Sequence, residues 1–226
     1  IILSNSTKYE PESAAWNVAY FAVPIMPVYD ELNTAASPTR YASAEDLGYR
    51  GGKNPFPTMD LSENRIRTKK VLANFYAKLD LIPKKLNFKT TYSQDFTSQE
   101  GRFVDLAYFV STNFKRTDDS VQKNSQTTTN QTWDNILTYT DSFGGHNFTL
   151  MAGSSYRDET WNYLSATGLN FPSGLEENWY ISKSKSKPSD SVNDDGRKQY
   201  GMSYFGRMSY NFNNKYLLYG TMRADG

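Results

Sequence analysis

The sequence has no cysteine and only one histidine in 226 residues. The first absence excludes thiolate metal sites, cysteine nucleophiles and disulfides, and fits a compartment in which stray thiols would be oxidised. The second removes the usual route to a Ser/His/Asp relay: the lone His146, directly after Gly144-Gly145, reads as a hydrogen-bonding residue at a turn or strand end. No run of about 18 apolar residues exists, so no membrane-crossing helix is expected; the longest apolar stretch, around positions 18–26, is broken by Pro24 and closed by Pro27. Charge excess is missing too. Twenty-five basic and 24 acidic residues leave a net +1, with no basic stripe of the kind that tracks phosphates, so nucleic acid is not an expected partner. No pair of carboxylates stands out for glycoside hydrolysis, and neither catalysis nor a cofactor is expected.

Aromatic residues are abundant: 17 Tyr, 13 Phe and 4 Trp make up 15% of the chain. Such residues fit a pleated, half-buried surface, and their distribution has period two. Val71, Ala73, Phe75, Ala77, Leu79 and Leu81 alternate with Leu72, Asn74, Tyr76, Lys78 and Asp80, and after Pro83-Lys84-Lys85 the pattern resumes with Leu86, Phe88, Thr90 and Tyr92. A second unit runs through 135–140, turns at Asp141-Ser142-Phe143-Gly144-Gly145, and returns with Phe148, Leu150, Ala152 and Ser154. The third places Tyr204, Gly206, Met208, Tyr210 and Phe212 on one face, turns at Asn213-Asn214, and continues with Tyr216, Leu218, Gly220 and Met222. Period two predicts strands with one apolar and one polar face, and these turns predict hairpins.

The connections between units are long and polar, about 97–132 and 157–199, with low-complexity patches at 126–131 and 182–191. The first 60 residues, rich in Pro and Gly (Pro24, Pro27, Pro38, Gly48, Gly51, Gly52, Pro55, Pro57), read as a strand end followed by an external loop. Short turns at one end and long loops at the other are the asymmetry of an outer-membrane β-barrel. A mean hydropathy of −0.70 is compatible, because barrel strands need apolar residues only at alternate positions. The expected fold is therefore all-β: antiparallel strands of a transmembrane outer-membrane β-barrel, present here as an open part with about six strands and long extracellular loops. Tyr204, Tyr210, Phe212, Tyr216 and Trp133 suit the interfacial aromatic girdles. Arg207, Arg223, Lys89 and Asp80 belong to the lumen side, where they either solvate the wall or touch cargo.

Trp161, Tyr163, Trp179 and Tyr180 stand in the 157–199 stretch among polar residues, and are the candidate substrate-binding residues. Exposed rings of this kind stack on sugar faces or grip peptides; equally, they pin a loop to its neighbours. Asp190, Asn193, Asp194, Asp195 and Gly196 have a faint calcium-loop look without the alternating ligands of a known loop, and no metal is expected. Asp118-Asp119 reads as a solvated loop tip.

Several stretches resemble one family. Residues 203–226, SYFGRMSYNFNNKYLLYGTMRADG, are similar to the mid-barrel strand pair of SusC/RagA-type TonB-linked transporters, with its YFGR strand, short polar turn, KYLL and R-x-DG end. Residues 135–153, NILTYTDSFGGHNFTLMAG, resemble the preceding strand, turn and return strand. Asn54-Pro55, the run 64–80, Leu86-x-Phe88-Lys89-Thr90 and Pro27-Val28-Tyr29-Asp30 resemble earlier elements in the same order.

The resemblance implies that residues 1–226 belong to one TonB-dependent receptor barrel domain, a 22-stranded barrel whose plug and remaining strands lie elsewhere. It also implies TonB-dependent active import of a large nutrient, a glycan or an oligopeptide, through the outer membrane. The implied partners are a SusD-like surface lipoprotein, the TonB-ExbB-ExbD complex and outer-membrane lipid. The chain's start at Ile1 and its end at Ala224-Asp225-Gly226 lead to the same expectation of a piece of a longer protein. The rival reading is a soluble all-β carbohydrate-binding module, which would need its apolar faces buried in a common core.

Overall fold

The computed structural model describes residues 1–10, 15–30, 41–49, 51–187 and 190–226; Pro38 and positions 188–189 of the 182–191 patch lie outside them. Seven strands form one sheet: β1 (Ile2–Glu10), β2 (Ser62–Ile82), β3 (Leu86–Asp105), β6 (Ser120–Phe143), β7 (His146–Leu169), β8 (Ser191–Phe212) and β9 (Tyr216–Asp225). Each pairs antiparallel with the next in that order. A small hairpin, β4 (Tyr108–Ser111) with β5 (Phe114–Arg116), stands in the connection between β3 and β6. Two short helices, α1 (Ala15–Tyr20) and α2 (Phe56–Asp60), belong to the connection between β1 and β2.

The three tight turns fall at one end of the sheet, where the sequence places them. Gly144 (φ 52°) and Gly145 (φ 82°) are both left-handed, as are Asn213 (φ 49°) and Asn214 (φ 56°). Two successive left-handed residues make the turn whose twist matches that of its strands, which is why Gly-Gly and Asn-Asn occur there. At the third turn Pro83 precedes Lys84 (φ 62°), and the Lys85 amide bonds to the Ile82 carbonyl, so a lysine occupies a position that favours glycine.

At the opposite end the strands run further than the apolar pattern foretells. β6 and β7 are each 24 residues long, and pairing is continuous from Phe143↔His146 to Ser120↔Leu169. The segments 97–132 and 157–199, expected as long loops or loops with strand extensions, are thus largely strand, and the connections shrink to 106–119 and 170–190. Three connections, 11–61 included, lie at this end.

The described residues between β1 and β2, 15–30, 41–49 and 51–61, form an irregular but tied excursion, as expected after a strand end. Asn54, fully buried, donates Nδ2 to the carbonyls of Val28 (2.8 Å) and Ala42 (3.1 Å), while its Oδ1 accepts the Phe56 amide (3.1 Å) at the start of α2. Replacing Asn54 by Ala takes the side-chain partner from the buried Ala42 carbonyl and the Phe56 amide, while the Val28 carbonyl keeps the Ala42 amide, and is expected to destabilise this connection by about 2 kcal/mol. Faster backbone hydrogen exchange at Val28, Ala42 and Phe56, with strand amides unchanged, is the readout.

Candidate functional site

Residues paired across an antiparallel ladder share a face, so the register divides the sheet into two surfaces. One carries Phe75 and Leu79 of β2, Phe88 and Tyr92 of β3, Trp133, Leu137 and Tyr139 of β6, Phe148 and Leu150 of β7, Tyr204 and Met208 of β8, and Leu218 and Met222 of β9. Most of these are exposed: Phe75, Leu79, Trp133, Leu137, Leu150, Tyr204, Met208, Leu218 and Met222 among them. A soluble sandwich would bury such a surface under a second sheet. Here, among the described residues, nothing covers it.

Aromatic residues border this band on both sides. Near the turns, Phe143, His146, Phe148, Tyr210, Phe212 and Tyr216 form a cluster in which the His146 ring lies 4.5 Å from that of Phe212 and Nδ1 is 2.6 Å from the Tyr210 hydroxyl. The single histidine is a girdle residue held by a tyrosine. At the other border, Phe75, Tyr92, Trp133 and Tyr156 stand in one cross-strand row. Ten residues separate His146 from Tyr156 on β7, which is about 33 Å of strand and, at a tilt near 40°, about 25 Å of height. That equals the apolar thickness of an outer-membrane barrel. Tyr204, Tyr210, Phe212, Tyr216 and Trp133 all lie on this face, as the sequence suggests.

The opposite surface is mainly polar over the same height, with Ile136, Met151, Phe205 and Leu217 among its apolar residues. Asn74, Asp80, Lys89, Thr91, Ser93, Asp134, Thr138, Ser155, Arg207, Ser209, Thr221 and Arg223 share it, so Asp80, Lys89, Arg207 and Arg223 sit where the alternation puts them. Arg207 lies 5.6 Å from the Tyr219 ring, and the Ser155 hydroxyl donates to Asp134. Phe205 covers Gly153 across the ladder, where any Cβ would meet its ring and the Asn135 carbonyl.

The four candidate aromatics divide between the two faces. Trp161 and Tyr163 are not in a loop but on β7, two residues apart on the polar face, with parallel rings (4°) and centroids 6.0 Å apart. Their ladder neighbours are Thr128 and Arg197 for Trp161, and Gln126 and Asp195 for Tyr163. A hollow of about 530 Å³ beside them is lined by Thr128, Asn130, Glu159, Trp161, Asp195 and Arg197. Amide, hydroxyl, carboxylate and guanidinium groups thus surround a half-exposed ring. Asp194 and Asp195, read as a faint calcium loop, lie on β8 and point to opposite faces; among the described residues no group of three acidic or imidazole side chains could hold a metal.

Trp179 and Tyr180 belong to the connection 170–190 and fold onto the other face, beyond the apolar band. Trp179 is 9% exposed in a small core with Val104, Val121 and Phe171, and the Arg102 guanidinium lies 5.0 Å from its ring. Arg102 in turn bonds Glu176 (2.7 Å) and Glu63. Gly168 permits the approach, since a Cβ there would stand 3.0 Å from Ser184 and 3.1 Å from Phe171. Trp179 therefore pins its loop, whereas Tyr180 stays exposed beside Lys123 (4.5 Å).

Sequence reasoning missed what ties these loops. Asp119, read as part of a solvated tip, accepts the Ala107 amide, while Asp118 is exposed. Asp190 accepts the Ser184 hydroxyl at 2.6 Å and the Leu169 amide at 3.3 Å, with Lys187 3.5 Å away. The Ser184 bond foremost, then the Leu169 amide and Lys187, holds its carboxyl below the ordinary value of 3.8 against the opposing effect of burial. A depressed folded pKa adds stability above the unfolded value that is lost as pH falls through the folded one. The anchor is therefore expected to loosen only below about pH 4, as increased exchange of the Leu169 amide relative to its intrinsic rate. Asp190→Asn should remove that pH dependence.

No family model matches the chain. It is 29% identical over 176 residues to TonB-dependent receptor P3 of Formosa agariphila, covering 76% of this chain and 17% of that protein. In fold it is similar to a RagAB peptide transporter structure (TM-score 0.70, 16% identity, 78% of this chain and 20% of that one). It is similar also to the RagAB peptide importer in the closed-closed state (TM-score 0.68, 16% identity, 84% and 20%). The chain spans about a fifth or less of the length of each of these proteins. The two-faced antiparallel sheet, the ordered motifs and these likenesses lead to one conclusion: the chain has the fold of part of an outer-membrane β-barrel and is similar to SusC/RagA-like TonB-dependent transporters.

Proposed function

We propose that residues 1–226 lie within a single receptor barrel domain, and that the whole protein imports a large polar oligomer, a glycan or an oligopeptide, across the outer membrane. In this reading a SusD-like surface lipoprotein lids the barrel, the TonB-ExbB-ExbD complex supplies the force, and no covalent chemistry occurs on this segment. The observation that carries it is the mainly polar wall. Interrupted by Ile136, Met151 and Phe205, polar side chains still predominate on the inner face from the turns through the height of the apolar band and on to the Trp161 and Tyr163 shelf above it. Such a wall suits a cargo that keeps its hydrogen bonds while it passes a membrane.

Trp161 and Tyr163 are assigned to cargo binding; Trp179, being buried, is assigned to loop anchoring, and Tyr180 remains a candidate only for a contact on the outer side. The relatives' peptide-transporter names favour oligopeptide, and the shelf with its amides and hydroxyls suits glycans equally. The test uses the full-length protein in its own cells. Extraction should require detergent, and uptake of a labelled nutrient should vanish when TonB is deleted. Release by salt alone, or uptake indifferent to TonB, would end the proposal.

A further inference from the structure

Three successive outward-facing positions of β2 just beyond the apolar band are cationic. Counting away from Val71, an apolar residue four positions beyond the Phe75 border on this strand, they are Lys69, Arg67 and Arg65, all on the face that carries Phe75 and Leu79. Lys69 stands about 7 Å and Arg65 about 20 Å along the strand from Val71, or about 5 Å and 15 Å in height at a 40° tilt. The ladder register then adds two more cations. Arg65 lies directly opposite Arg102 of β3, and Arg102 directly opposite Lys123 of β6, so three positive side chains occupy one row across three adjacent strands.

Like charges placed directly across a ladder are destabilising, and the carboxylates nearby do not cancel them. Glu63 and Glu176 both bond Arg102, and Glu100 faces Arg67. Arg65, Lys69 and Lys123 have no ion-pair partner among the described residues. Burial first, then the charges of Arg102 and Arg65, pull the Lys123 pKa below its ordinary value, the direction expected of a cation crowded by cations. A hollow of about 400 Å³ opens here, its wall carrying four cations, Arg65, Arg67, Arg102 and Lys123, against two carboxylates, Glu100 and Glu176, beside Trp179 and Tyr180. Its wall includes the loop that Trp179 anchors, so it is a formed surface and not a scatter of mobile side chains.

We infer that this outer-face cation ladder binds the phosphate groups of a glycolipid headgroup in the outer leaflet of the surrounding membrane. The inference rests on the outer-membrane reading, because only a lipid-facing band puts these residues level with headgroups. Guanidinium and ammonium groups in this number match phosphate, Arg by paired hydrogen bonds and Lys as a point charge. Phosphates nearest the apolar boundary meet Lys69, and those further out along the headgroup meet Arg65 and Lys123. An acidic protein partner is less suited, since it would have to enter from the side through the lipid.

The test is made on the full-length receptor in detergent micelles, with Arg65→Gln and Lys69→Gln combined and Arg67 left facing Glu100. The probes are bisphosphorylated lipopolysaccharide, the same glycolipid after phosphatase treatment, and inorganic phosphate. At about fivefold in affinity per basic residue removed, the double variant should bind the phosphorylated glycolipid about 25-fold more weakly. It should bind the phosphatase-treated glycolipid as the parent does. Without glycolipid the variant should melt at the same or a higher temperature, because a repelling charge has been removed. Unchanged affinity overturns the inference, as does inorganic phosphate binding as tightly as the glycolipid, or loss of a co-purifying acidic protein in place of lipid. A lower melting temperature without glycolipid would show Arg65 and Lys69 to be structural and overturn it too. TonB-dependent uptake should persist in the variant, so failure here leaves the transport reading standing, whereas extraction without detergent would remove both.

Discussion

Replacing Leu150 by Arg is expected to cost the folded barrel about 3 kcal/mol when measured by urea unfolding in lipid vesicles. Leu150 lies on the apolar face between the His146 and Tyr156 borders, 43% exposed, with Tyr139 and Met208 as ladder neighbours. Its exposure is to hydrocarbon, which cannot solvate a guanidinium, and near mid-height the side chain is too far from either border to reach water. The paired control is Thr138→Arg. Thr138 is on the polar face, opposite Met151 and Asn87, where the added charge stays hydrated and the change should remain within about 0.5 kcal/mol. A soluble sheet with its apolar face packed in a core would also reject Arg at Leu150. It would do so equally in detergent-free buffer, where the barrel has no folded state to compare. Equal tolerance at the two positions would mean that the faces are assigned the wrong way round.

The same alternation explains which parts of the fold were legible in the sequence. Where hydrocarbon lies on one side and water on the other, as along 71–81 or 204–212, the chain must alternate and the strands can be read directly. Above the band both faces are wet. Nothing then selects apolar residues at every second position, and the Gln- and Thr-rich 126–131 keeps its β-branched residues but loses its period. Trp161 and Tyr163 thus looked like loop aromatics although they continue β7. Their separation from Trp179 onto the opposite face was also illegible, since a face is defined by ladder partners such as Thr128 and Arg197, far away in sequence. The row Arg65, Arg102 and Lys123 was hidden for the same reason. Asn54 left a fainter trace: an Asn ahead of Pro55 and Phe56 is a helix-start signal, although the two carbonyls it holds are 26 and 12 residues away.

Removing both rings of the shelf should have the largest effect on function. Trp161→Ala with Tyr163→Ala in the full-length receptor is expected to lower affinity for the nutrient about 100-fold, or about 2.7 kcal/mol, the scale of two central aromatic anchors. Both side chains are half-exposed on the polar face and belong to no buried cluster, so barrel stability should change little. The comparison is Trp179→Ala, which empties the small core under the 170–190 connection and should loosen that loop while leaving nutrient affinity within severalfold of the parent. Titration calorimetry of the two variants side by side distinguishes these roles. If Trp179→Ala lost affinity as steeply as the shelf variant, the assignment of cargo contact to the inner face would fail.

The length of β7 has an electrical consequence. Trp161 stands five residues beyond Tyr156 on that strand, about 17 Å along it and about 13 Å higher. In physiological salt a charge is screened within about 8 Å. A cargo held beside Glu159, Asp195 and Arg197, as proposed above, would also have the barrel wall between it and the headgroups on the outer face. On that proposal, the sign of charge favoured at the shelf is set by those three side chains, two acidic and one basic, and not by the membrane.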